Sequence, residues 1–202
     1  LSVSTSSGSP QRVVVKLGGD VVGGDARETL AQGVAALVGR GHHVVVVHGG
    51  GPQTSALQRL LGQNPQRVGG RRITDQAALD ALKMAVGGQL NIDLCAAMLS
   101  AGCQPVGLHG ASSLVVEAER RPPQVIMGGP AEPVDLGLVG DVVGVDLGLL
   151  EALVNRGNVP IVACIGASRS GDIFNINADV VANRVAVAWR ADALVLVSAG
   201  IN

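Results

Sequence analysis

The chain has 202 residues, 47% of them apolar and 15% charged, with a formal net charge of −1. That length supports a real core and that composition excludes disorder. A near-neutral balance with no basic stripe, one Phe and one Trp excludes a nucleic-acid surface.

From the N-terminus, LSVSTSSGSPQ (residues 1–11) has neither the basic nor the apolar region of a secretory signal and reads as a flexible tail. Arg12 to Leu17 (RVVVKL) is a strand, followed by the glycine-rich GGDVVGG. Asp25 to Val38 carries apolar residues at helical spacing, with Asp25 as N-cap. His43 to Val47 (HVVVV) is a second strand running into HGGGP, and Pro52 to Leu61 is a helix with Pro in its first turn. Arg67 to Ile73 reads as a small hairpin. Thr74 is expected to cap a long helical stretch reaching Ser100, broken near Gly87-Gly88.

Pro105 to Leu108 is a third strand, and Leu114 to Glu117 with Gln124 to Met127 reads as a hairpin around RRPP. Asp146 to Asn155 and Ala178 to Trp189 are helices. Val159 to Cys164 and Ala193 to Val197 are strands, the last of them resembling the middle of a sheet. Strands that are apolar throughout and alternate with helices predict an α/β fold, a three-layer αβα sandwich around a mostly parallel sheet. No apolar run is long enough for a membrane span. Cys95, Cys103 and Cys164 form no CxxC and read as buried free thiols of a cytoplasmic protein.

Ligands of open α/β sheets sit at the carboxyl ends of the strands, so the first two turns are the strongest signals. They are Lys16-Leu17-Gly18-Gly19 and His48-Gly49-Gly50-Gly51-Pro52. Adjacent glycines let backbone N–H groups approach an anion. Lys16, one of two lysines, is costly to bury in an apolar strand without a charge partner, and reads as a cation directed at phosphate. Neither turn matches GxxxxGK[ST] or GxGxxG. FNINAD (residues 174–179) reads either as a helix cap or as a recognition segment, and RRITD (residues 71–75) as a carboxylate clamp or a solvated hairpin. No GxSxG, HExxH or metal-ligand set is present.

The order KLGG, HGGGPQ, RRITD, GQLNIDL and FNINAD resembles the amino acid kinase family from about Arg12 to the end of the chain. The resemblance implies ATP-dependent phosphorylation, with Mg²⁺ carried by the nucleotide, of the side-chain carboxylate of N-acetyl-L-glutamate in arginine synthesis. It places Lys16 on the transferring phosphoryl group and Asp179 as the residue orienting it. Gly50, Gly51, Arg72 and Asn175 would hold the acyl substrate, and Gly18, Gly19 and Gly49 the phosphate. It implies a homodimer across the long helix. It also implies a division into an acyl-substrate domain at 12–190 and the start of a truncated ATP-binding part at 191–202. Ala199 stands where relatives carry an aspartate, and Leu108 to Ser113 lacks the usual Gly-Lys-Asp-Gly character. Two alternatives follow: a catalytically impaired binding or dimerisation module, and an aminoadipate-type kinase of lysine synthesis.

Overall fold

The computed structural model describes residues 9–24 and 26–199. The first strand, β1 (Arg12–Leu17), is the RVVVKL run. A four-residue helix α1 (Gly19–Val22), which the sequence did not announce, follows it. Next come α2 (Ala26–Gly39), β2 (His43–His48) and α3 (Gly51–Leu60). Asp25, expected to cap α2, lies outside the described residues, as does most of the expected tail. The hairpin is present as β3 (Arg67–Val68) and β4 (Arg71–Arg72), paired antiparallel.

The long helical stretch is continuous but changes width. It runs as α4 (Gln76–Leu82), a π-helical segment (Lys83–Leu90) and α5 (Asn91–Ser100), so Gly87-Gly88 marks a wide turn and not a break. Its cap is Asp75, whose Oδ1 accepts from the Ala78 amide at 2.8 Å. Thr74, the expected cap, accepts instead through Oγ1 from Asn175 Nδ2 at 3.0 Å. The two side chains divide the work because only Asp75 lies at the N-cap, the position from which a side chain reaches the N3 amide.

Beyond α5 the chain forms β5 (Pro105–Leu108), β6 (Glu117–Arg120) and β7 (Gly140–Gly144). The expected hairpin of 114–117 with 124–127 is not formed: β6 pairs antiparallel with β7, and Gln124 bridges Val134. Pro122 and Pro123 hold the chain extended where a reversal was expected. It reverses later, around Gly128, whose φ is +75°. The remaining elements are α6 (Leu147–Asn155), β8 (Val159–Ala163), β9 (Ile165–Ala167), β10 (Ile173–Asn175), α7 (Ala178–Trp189) and β11 (Ala193–Val197).

Five strands form a parallel sheet in the order β11-β1-β2-β8-β5. The consecutive residues Val44 to Val47 are all buried, so both sheet faces are covered. β11, expected in the middle of a sheet, lies at its edge among the described residues, with Leu194, Val195 and Leu196 exposed. A second sheet, β10-β9-β6-β7, packs a small apolar cluster of Ile126, Leu136 and Val139 beneath β3–β4. The three cysteines are free. Among the described residues no helix is long and apolar enough to cross a membrane.

Candidate active site

The parallel sheet brings the carboxyl ends of β1, β2 and β8 together, and the residues singled out in the sequence converge there. Lys16 lies on β1, between β11 and β2, and not on an edge. Its Nζ stands 2.9 Å from Asp179 Oδ1, with the lysine side chain 12% exposed and the aspartate 57%. The charge partner that burial demanded is therefore present. Its placement follows from the start of α7: Asn177 Oδ1 accepts from the Asp179 amide at 2.7 Å. That cap sets Asp179 in the first turn of the helix, facing β1.

The two glycine turns touch each other. A Cβ on Gly19 would lie 2.9 Å from Gly50 Cα and from the Gly51 nitrogen. Gln53 Nε2 donates to the Gly19 carbonyl at 2.7 Å and ties the first turn to α3. The Gly18 amide donates to the Val197 carbonyl at 2.8 Å and the Gly49 amide to the Leu17 carbonyl at 3.0 Å. These two amides are thus engaged by the neighbouring strands. The amides of Gly19, Gly50 and Gly51 donate to no acceptor among the described residues. On the other side, Asp20 Oδ2 accepts from the Ala199 amide at 2.8 Å.

Beside the turns opens a cavity of about 500 Å³ lined by Gly49, Gly50, Gly51, Asn175 and four arginines, Arg67, Arg71, Arg72 and Arg121. Among the described residues no acidic side chain lines it. Arg72 is 8% exposed. One of its amino groups donates to Gly51 O at 2.9 Å and Ser55 Oγ at 2.6 Å, and the other donates to Gln58 Oε1. Arg72 is therefore as much a strap from β4 to α3 as a clamp, and retains Nε–H and one further N–H for a ligand. Burial, then the neighbouring Arg67 and Arg59, lower its pKa. Arg121 is oriented by Asp141, with its Nη2 2.6 Å and its Nε 2.9 Å from Oδ1.

The sequence reading missed Ser55, Gln58, Arg67 and Arg121. Arg121 stands in the run RRPP, where the chain stays extended, and its signal is a cation followed by two prolines. Cys164 closes the cavity floor, its thiol pushed up to about 12 by burial and therefore neutral. A larger hollow of about 760 Å³ lies between α2 and α5 and contains none of these residues. Among the described residues no three His, Cys, Asp or Glu side chains converge as metal ligands.

Together, fold and site define an open-sheet α/β protein with paired glycine turns and an arginine-lined cavity at the carboxyl end of its strands. The chain belongs to the amino acid kinase family, which its residues 11–199 match. It is 54% identical over 196 residues to the acetylglutamate kinase of Sorangium cellulosum, covering 97% of this chain and 68% of that one. It is 53% identical over 186 residues to the acetylglutamate kinase of Anaeromyxobacter dehalogenans, covering 92% of this chain and 69% of that one. Among solved structures it is similar to an N-acetylglutamate synthase of Neisseria gonorrhoeae complexed with coenzyme A and N-acetyl-glutamate. That match has a TM-score of 0.77 and 25% identity, over 94% of this chain and 42% of the other.

Proposed function

We propose that the protein transfers the γ-phosphoryl group of ATP to the side-chain carboxylate of N-acetyl-L-glutamate, giving an acyl phosphate and ADP. A carboxylate oxygen forms the new bond to phosphorus as the bond to the departing ADP oxygen breaks. The observation that carries this reading is the Lys16–Asp179 pair at the carboxyl end of β1 and the start of α7, beside paired glycine turns of which the second, with Ala178, lines an arginine-rich cavity. The names of the relatives support the acceptor.

The chemistry asks for no general base, because a carboxylate of pKa about 4 is already ionised at neutral pH. It asks for cancellation of charge between two approaching anions. In this reading Lys16, oriented by Asp179, lies against the transferring phosphoryl group, and the unpaired amides of Gly19, Gly50 and Gly51 complete its cradle. Gly18 and Gly49 shape the turns. Arg72 and Asn175 hold the acceptor's carboxylate, with Arg67 and Arg121 adding positive potential. Mg²⁺ would arrive with the nucleotide and would supply further charge cancellation.

The reading includes a homodimer through the long helical run, since Ile92 and Leu99, seven residues apart on one face of α5, stand 66% and 62% exposed. Incubation with ATP, Mg²⁺ and N-acetyl-L-glutamate, trapping the acyl phosphate with hydroxylamine, tests the reaction. Hydroxamate is expected with this acceptor and not with aminoadipate derivatives. A folded protein that forms none overturns the reading.

A further inference from the structure

His48 and Asn91 take no part in the chemistry proposed above, yet they form the most deeply buried polar pair near it. His48 is fully buried and Asn91 nearly so. Asn91 Nδ2 lies 2.9 Å from the Ile161 carbonyl and 3.0 Å from His48 Nε2. One amide hydrogen serves each, so Nε2 accepts and the imidazole hydrogen sits on Nδ1. Turning the amide over would set Oδ1 against the Ile161 carbonyl, two acceptors face to face. Nδ1 in turn lies 3.0 Å from the Gly49 carbonyl and donates to it.

The Gly49 carbonyl and the Gly50 N–H belong to one planar trans peptide and point in opposite directions. A grip on the oxygen therefore aims the hydrogen. The fold makes room for this arrangement in two further places. A Cβ on Gly107 of β5 would overlap Asn91 Oδ1, and Val86 and Leu90 of the π-helical segment press on Gly50 from the side that delivers Asn91. We propose that the His48–Asn91 pair is a strut that fixes the tautomer of His48 and through it aims the Gly50 N–H at the phosphoryl path, making both positioning residues. The reaction served rests on the function proposed above, whereas the strut itself does not.

The tautomer is read directly in the unaltered protein by ¹⁵N NMR of the imidazole. The Nδ1–H form is expected, and an Nε2–H form overturns the proposal. His48→Asn keeps a nitrogen donor near the place of Nδ1, while His48→Gln keeps a polar atom only near the place of Nε2. Amide exchange at Gly49 and Thr54, whose N–H groups bond across this turn to Leu17 and Gly50, should rise at least tenfold in His48→Gln. It should rise less than threefold in His48→Asn, with Val45 unchanged in both. In the hydroxamate assay, turnover should fall at least tenfold further in His48→Gln than in His48→Asn, with acceptor KM within threefold. Equal exchange in the two variants, or a rise shared by Val45, overturns the strut. An unaltered protein that forms no hydroxamate overturns the reaction instead, and leaves the tautomer and exchange to decide the strut.

Discussion

Gly50→Ala is the sharpest single test of how the glycine turn is held. Gly50 has a φ of 173°, extended backbone open to any residue, so the glycine is required by space and not by conformation. An added Cβ would stand 2.6 Å from Leu90 Cδ1 and 2.6 Å from Val86 Cγ2. Carbon atoms in contact rest at about 3.5–4.0 Å, so the turn and the helical run must separate by about 1 Å. Val86 is fully buried and Leu90 nearly so, which leaves no slack behind them. Overpacking of this kind costs about 1–3 kcal/mol, or roughly 2–12 °C in Tm for a chain of this size.

If the turn yields, its amides leave the reacting centre, and a displacement of about 1 Å costs on the order of 10²-fold in turnover. Thermal unfolding and the hydroxamate assay read the two effects. Val86→Ala removes one of the two obstructing methyls. In a double-mutant cycle it should therefore recover at least about 0.5 kcal/mol of the Gly50→Ala loss. A Gly50→Ala protein with ordinary Tm and turnover, or a cycle with no coupling, would refute the steric argument.

Lys16→Met exchanges the cation for an apolar chain of similar length. It should lower turnover by about 10²–10³-fold while leaving thermal unfolding within a few degrees; near-normal turnover would remove Lys16 from the proposed mechanism. Asp75→Ala should destabilise the protein by about 1 kcal/mol through loss of the helix cap. Thr74→Val should leave the cap intact and raise the acceptor KM by releasing Asn175, so denaturation and steady-state kinetics separate the two neighbours. Burial lowers the His48 pKa from 6.5 to about 4, against a weaker opposing bond to Gly49. The unfolded chain therefore takes up a proton between those values while the folded one does not. The stability this residue provides is complete above pH 6.5, falls as pH drops, and is lost by about pH 4. The loss is on the order of 3 kcal/mol, and His48→Asn should flatten that part of the pH–stability curve measured by urea denaturation.

The parts of the fold legible in the sequence are those where one local cause decides. The valine runs at 13–15 and 44–47 could only be buried strands, and Lys16 within the first had to find a carboxylate. What escaped depended on contacts distant in sequence. Asp75 caps the helix, while the threonine before it bonds Asn175, a hundred residues away, a partner no local pattern announces. The strand after Val116 pairs with Gly140–Gly144 and not with the nearer 124–127, because two prolines prevent an early reversal. Likewise, Gly18 and Gly49 carry the right sequence for a phosphate turn. That their amides are engaged by Val197 and Leu17 follows from strand order, which no local pattern encodes.

The wide helical turn at Lys83–Leu90 also bears on how this chain tolerates insertion and deletion. A π-helical segment amounts to one extra residue accommodated within an α-helix. Removing a single residue there, at Gly87 or Gly88, would close the wide turn and leave α4 and α5 in their present phase. The same removal from within α4 or α5 has no surplus to draw on, and turns the rest of the run by about 100° per residue. The segment thus acts as a register reserve: a length change that would be ruinous ten residues away can be absorbed where the two glycines stand.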